Sequence, residues 1–174
     1  MTRQPNIQEI YGKYSTPLYF TALRITGNSF DAEEVMHDTI FKYHSFHPKE
    51  SIEKLGSWLT SICIRKSLDK LREKHRNQNF LEEYKEWQET ETSSPPENFN
   101  VEEIKKAILL LPDNYRTILS LHLFEGYDYQ EIEQITGTKE TTLRSLYSRA
   151  KEKLAAAIHK SRQQQDGKLG KIHK

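Results

Sequence analysis

A single cysteine, Cys63, rules out an internal disulfide, and its place in an apolar helical pattern predicts a buried, inert thiol. No apolar run approaches the roughly 20 residues that span a bilayer. Met1–Ile10 also lacks the basic start and apolar core of a secretory signal, so the chain is expected to stay in the cytoplasm without inserting into a membrane. The seven histidines are scattered without metal-ligand spacing. Paired carboxylates, a nucleophile with its base, and a glycine-rich phosphate loop are all missing at usable spacing, which predicts no catalysis and no cofactor. A formal net charge of only +1 excludes a uniformly cationic surface, so any nucleic-acid contact must come from local patches. Strand alternation and internal repeats are absent too.

What remains is helical periodicity. A length of 174 residues predicts an all-α chain of two small helical domains, each with a core of about three or four helices. The first domain is expected over residues 1–76. Ile7, Ile10, Tyr11 and Tyr14 repeat with helical period, and Thr16-Pro17 predicts a break and a restart that runs to Thr26. Gly27 and a capping Asn28 lead into a helix with Ala32, Val35, Met36, Thr39, Ile40 and Tyr43 on its inner face. Glu34, His37, Asp38 and Phe41 then point outward, and an aromatic among outward acids marks a protein contact. Around Pro48, residues 44–56 read as a loop. Ser57 is predicted to cap a long helix with Trp58, Ile62, Leu68 and Leu71 at apolar positions. Its cations Arg65, Lys66, Lys70, Arg72, Lys74 and Arg76 outnumber Asp69 and Glu73. Trp58 taken alone reads as a core residue. A basic helix led by an aromatic nevertheless suits single-stranded DNA, where cations track the backbone and rings accept unstacked bases.

Residues 77–100 change character. Glu82, Glu83, Glu86, Glu89, Glu91 and Glu97 face Lys85 alone, and Ser93-Ser94-Pro95-Pro96 breaks any helix, so this segment is predicted to be a flexible acidic linker. The second domain is expected over residues 101–160. Asn100 and Glu103 stand in capping positions, and Val101, Ile104, Ala107, Ile108 and Leu111 form an inward stripe up to Pro112. Tyr115, Ile118, Leu119 and Leu123 make the next helix, and Gly126 turns the chain. Asp128 and Glu131 are placed as a capping box, Gly137 permits a reversal, and Thr138 is predicted to cap the last helix, which ends near His159. This is a helix-turn-helix pattern. Leu143, Leu146, Tyr147, Ala150 and Leu154 face inward, which leaves Thr141, Thr142, Ser145 and Ser148 outside with Lys139, Arg144 and Arg149. A small, hydroxylated, cationic face admits a groove and lets arginines reach bases or phosphates. Residues 161–174 are predicted to be a disordered basic tail.

In this order, three motifs resemble the extracytoplasmic-function (ECF) class of bacterial RNA polymerase sigma factors, from about Ile7 to Ala157. They are Asp31–Phe41, Trp58–Arg72, and Leu111-Pro-Asp-Asn-Tyr-Arg116 leading into Glu131-Ile and Thr142-Leu-Arg-Ser145. The resemblance implies that Glu34, His37, Asp38 and Phe41 meet core RNA polymerase. It implies that Trp58, Arg65, Lys66, Lys70 and Arg72 open and read the minus-ten element of promoter DNA, and that the helix from Lys139 to Lys153 reads the minus-thirty-five element. It also implies a linker threaded through the polymerase channel and an anti-sigma partner of the kind most relatives have. Four positions depart from the family's usual residues: His37 for Gln, Arg65 for Asn, Glu133 for Ala and Thr141 for Gly. With a bulky Glu133, the first helix of the motif is expected to ride further out or to expose that edge. The competing reading is a stand-alone helix-turn-helix regulator of duplex DNA, which accounts for the second domain but leaves the first without a role.

Overall fold

Asn6 opens the first helix through a reciprocal box: its side chain accepts the Glu9 N–H at 2.9 Å, and the Glu9 carboxylate accepts the Asn6 N–H at 2.8 Å. The structure, a computed structural model, describes residues 5–46, 54–77 and 100–169. The chain divides into two units, residues 1–82 and 83–174. The described part of the first unit holds α1 (Ile7–Thr26), α2 (Ser29–Phe46) and α3 (Leu55–Asn77). Contrary to the predicted break, α1 runs straight through Pro17. A proline inside a helix costs about 3 kcal/mol, because it supplies no N–H and crowds the carbonyl four residues back. Here Ile10, Leu18, Ala22 and Ile25 bury completely or nearly so on both sides of it. At roughly 1.5–3 kcal/mol per buried aliphatic side chain, that burial outweighs the local penalty.

Gly27 ends α1 at φ 68°, its N–H donating to the Leu23 carbonyl at 2.8 Å, and the Asn28 side chain then accepts the Asp31 N–H at 3.0 Å to begin α2. Helix α3 starts ahead of the expected Ser57 cap: the Lys54 carbonyl already accepts the Trp58 N–H at 3.0 Å. The register of its buried stripe follows, with Leu59, Cys63, Ser67, Leu68 and Leu71 inside and Ile62 only half-buried. All three helices pack on one another around Ile10, Leu18, Val35, Ile40 and Leu59. The Cys63 thiol is fully buried and donates to the Leu18 carbonyl at 3.3 Å, which ties α3 to α1.

In the second unit the Asn100 side chain accepts the Glu102 N–H at 3.1 Å, and the Asn100 N–H donates to Glu103 at 3.0 Å, opening α4 (Val101–Ile108). Val101, expected inside, is exposed at this first turn, and the inward stripe begins with Ile104. Helix α5 (Asp113–Leu119) widens into a π-helical turn, Ser120–Phe124, in which the Glu125 N–H reaches the Ser120 carbonyl at 3.1 Å. The wider turn rotates the register, so Leu121 is fully buried while Leu123, predicted to face inward, is 50% exposed. Helices α6 (Tyr129–Thr136) and α7 (Glu140–Leu169) complete the unit, with α7 packed on α4, α5 and α6.

Helix α7 passes His159 and continues through residues expected to be disordered. Gln163, Gln164 and Gln165 are good helix formers, and Arg162 donates to the Glu103 carboxylate at 2.8 and 2.7 Å, fastening the extension to α4. The hydrogen bond from Arg162, then that from the Asn100 backbone, holds the Glu103 carboxyl down at about 2 against an ordinary 4.5. A carboxylate depressed by folding stabilises the native state above its unfolded pKa and loses that contribution as pH falls towards the folded value. The melting-temperature difference between wild type and Glu103→Gln is therefore expected to be largest above pH 4.5 and to close as pH approaches 2. The loop expected over residues 44–56 is shorter than predicted, since residues 44–46 continue α2 and residues 55–56 already belong to α3; residues 47–53, the predicted acidic linker apart from its end residues Asn77 and Asn100, and residues 170–174 of the tail lie outside the described residues.

Candidate nucleic-acid interface

In the second unit's motif α6 is capped at its start and the turn that joins it to α7 is fixed at its ends. The Asp128 side chain accepts the Glu131 N–H and the Glu131 carboxylate accepts the Asp128 N–H, each at 2.8 Å. Gly137 at φ 75° donates its N–H to the Glu133 carbonyl at 2.8 Å. The expected Thr138 cap is not formed, because the Leu143 N–H donates to the Lys139 carbonyl at 3.0 Å and α7 begins one residue later, with Lys139 at the cap position. Instead the Glu133 carboxylate spans the turn and accepts the Glu140 N–H at 3.0 Å, placing a negative charge at the N-terminus of α7. Glu133 does not stand exposed; it is half-buried as the cap of the following helix. Its long side chain was the available signal, because it carries an acceptor far enough to span the reversal.

Along α7, Leu143, Ala150 and Leu154 are buried, and Leu146 and Tyr147 are half-buried. Lys139, Thr141, Thr142, Arg144, Ser145, Ser148 and Arg149 are all exposed. The Ser145 hydroxyl is folded back onto the Thr141 and Thr142 carbonyls at 3.3 and 3.1 Å. Arg144 is held: its Nε and Nη2 donate to one Glu140 oxygen at 3.0 and 2.5 Å, and its guanidinium lies 4.6 Å from the centre of the Tyr129 ring.

Behind that ring is an aromatic cluster that sequence reasoning missed. His122 stacks on Tyr129 at 4.6 Å and 17°, and Tyr147 meets the two rings edge-on at 4.7 and 6.1 Å. Burial, and then the neighbouring Tyr129, push the Tyr147 phenol up, so it stays neutral at physiological pH. Lys151 sits 5.0 Å from the Tyr147 ring centre, adding a second cation to the cluster.

In the first unit the expected polymerase and DNA sets meet each other. Lys66 reaches Asp38 at 3.1 Å and Lys70 reaches Glu34 at 2.7 Å, so cations of α3 are paired with acids of α2. The hydrogen bond to Glu34 raises the Lys70 pKa, which keeps the ammonium charged. Arg72 pairs with Asp69 of its own helix at 2.8 Å, and Arg65 is exposed. Trp58 is half-buried, edge-on to Tyr43 at 6.3 Å and tilted over Phe46 at 5.5 Å, which gives part of its ring to the core. His37 stacks on Tyr11 at 5.8 Å and lies 3.8 Å from Glu33. Phe41 is 60% exposed and Tyr11 44%, so α1 contributes an aromatic beside the α2 face that the sequence alone had assigned.

Residues 10–77 match the Sigma-70 region 2 family and residues 101–154 the Sigma-70, region 4 family. The chain is 24% identical over 157 residues to the ECF RNA polymerase sigma factor SigM of Bacillus subtilis, covering 88% of this chain and 96% of that protein. The chain belongs to the ECF sigma factors. This sigma factor is also 26% identical over 155 residues to the ECF RNA polymerase sigma factor SigE of Mycolicibacterium smegmatis, 86% of this chain and 60% of that one. Its fold is that of the sigma factor RpoE of Bartonella quintana, solved in complex with the anti-sigma factor NepR, at a TM-score of 0.54 and 22% identity over 87% of this chain and 95% of that one. A stand-alone regulator would leave the region 2 match unexplained, and the sigma-factor reading accounts for both matched segments. Among the described residues, no helix of this sigma factor is long and apolar enough to cross a membrane.

Proposed function

We propose that this sigma factor works in the cytoplasm, dividing promoter recognition between its units while the α2 face holds core RNA polymerase. Glu34, His37, Asp38 and Phe41 meet the polymerase, with Tyr11 beside them. Trp58, Arg65, Lys66, Lys70 and Arg72 engage the opened minus-ten element. Lys139, Thr141, Thr142, Arg144, Ser145, Ser148 and Arg149 engage the duplex of the minus-thirty-five element. The observation that carries this reading is one chain holding two different surfaces: an exposed aromatic set among acids on α2, and an exposed hydroxyl and arginine face along α7. The first is suited to a protein and the second to a DNA groove.

The ion pairs between α2 and α3 support an order of events. In the free chain Lys66 and Lys70 are occupied by Asp38 and Glu34. Polymerase engaging those acids frees the cations for DNA phosphates. An anti-sigma factor covering the same α2 face would block the sequence at its first step, and the Bartonella quintana sigma factor of this fold, solved with its anti-sigma factor, supports such a partner. Fluorescent promoter duplex titrated with the full chain tests the proposal. Tight, sequence-dependent binding is expected only once core polymerase is added, and equal affinity with and without it would overturn the reading.

A further inference from the structure

We propose that Tyr129 is a positioning residue for promoter readout: its ring fixes the plane of the Arg144 guanidinium and thereby sets a base preference in the upstream element. This rests on the reading of the outer face of α7 as a duplex-reading surface. Direct readout by arginine is planar chemistry, because two N–H groups must line up with two acceptors on one base edge. An exposed arginine left to itself samples many orientations and pairs with phosphates as readily as with bases. Arg144 has a side chain 61% exposed, yet it is restrained twice over.

The Glu140 carboxylate takes Nε and Nη2 from within the same helix. The Tyr129 ring, 4.6 Å from the guanidinium carbon, comes from α6 and so ties the group to the other half of the motif. Tyr129 is itself held. His122 stacks on it nearly parallel, and the His122 Nδ1 is 2.7 Å from the Tyr127 carbonyl, a separation at which Nδ1 carries the proton and donates it. The Tyr147 edge closes the cluster. Orientation is therefore passed from the π-helical turn through His122 and Tyr129 to a side chain at the DNA face. A salt bridge to Glu140 alone would leave the plane free to swing about that contact.

The probe is a pool of random 30-bp duplexes fused to a fixed, premelted downstream element, selected by holoenzyme made from core polymerase and the full chain. Wild type is expected to show a strong base preference at one upstream position. Arg144→Ala and Tyr129→Leu should each lower it about tenfold at that same position, with the double variant no worse than either single one. Tyr129→Phe keeps the ring and should select like wild type, and the salt dependence of Tyr129→Leu should stay unchanged because no phosphate contact is lost. Should Tyr129→Leu melt early, Tyr129→Met carries the test, since it keeps apolar bulk without an aromatic face and is expected to lose the same preference; Arg144→Lys, which keeps the charge without the planar fork, should flatten that position too.

If Tyr129→Leu selects like wild type while Arg144→Ala does not, Tyr129 has no positioning role and the reading of α7 stands. If Tyr129→Phe loses as much as Tyr129→Leu, the hydroxyl is a direct contact and the proposal is overturned. If Arg144→Ala and Arg144→Lys both select like wild type, the reading of α7 fails at Arg144 and the proposal goes with it.

Discussion

Phe41→Ala should weaken binding to core RNA polymerase by about 2 kcal/mol, roughly thirtyfold, while leaving the chain's helical content unchanged. The expectation follows from the division of labour on α2. Val35, Met36, Ile40 and Tyr43 are buried and hold the helix against α1 and α3. Phe41 is 60% exposed, so its removal takes little from the fold. A large ring left in water beside Tyr11 and His37 has the character of an interface anchor, and truncating such an anchor removes most of the contact it makes. Asp38 is a poorer probe than its outward position suggests. Reversing its charge would also break the 3.1 Å pair with Lys66, confounding lost polymerase contact with a disturbed α2–α3 packing. Unchanged affinity for Phe41→Ala would remove this face from the polymerase contact, and lost helicity would make Phe41 a structural residue instead.

Asp113→Ala is expected to destabilise the second unit by about 3 kcal/mol, because it strips the carboxylate from a buried cation. Arg116 is only 4% exposed; it pairs with Asp113 through Nη2 and donates to the Leu111 carbonyl through Nη1 at 2.8 Å. A buried guanidinium that loses its carboxylate is far costlier than the loss of an exposed ion pair. Asp113→Asn retains an acceptor and should fall between wild type and Asp113→Ala. Since α5 packs directly on α7, loosening it should lower affinity for the upstream element, while the melting of the first unit, reported by Trp58 fluorescence in a Trp87→Phe background, stays put. A shift of less than about 1 kcal/mol would mean that the guanidinium is adequately solvated without its partner.

The same pair shows what kind of information a sequence carries. Leu111-Pro-Asp-Asn-Tyr-Arg116 stood out as a motif, but nothing in its spacing said that Arg116 folds back to cap its own turn from the inside. Local signals were legible where the chemistry is local: the Asn100–Glu103 and Asp128–Glu131 boxes, the reversal at Gly137, and the exposed face of α7 from Lys139 to Arg149 depend on residues a few positions apart. Readings failed where burial elsewhere overruled a local preference. Pro17 was expected to split α1, yet the packing of Leu18, Ala22 and Ile25 keeps the helix whole. Leu123 followed an ordinary helical count, whereas the π-helical turn takes one extra residue and turns Leu121 inward in its place. The partners of Glu133, Lys66 and Tyr129 were hidden for a third reason: each meets a residue on another helix, Glu140, Asp38 and Arg144 respectively, and periodicity along one helix is silent about the neighbour it will meet.

Run-off transcription with purified core polymerase on a library of promoter fragments tests the sigma assignment most directly. With the full chain added, transcripts should start at a new and limited set of fragments, and that set should shrink or vanish with Phe41→Ala through lost polymerase binding. If start sites are the same with and without the chain, while the chain alone occupies promoter duplex, the two units do not act as a polymerase subunit and promoter selection is not their work.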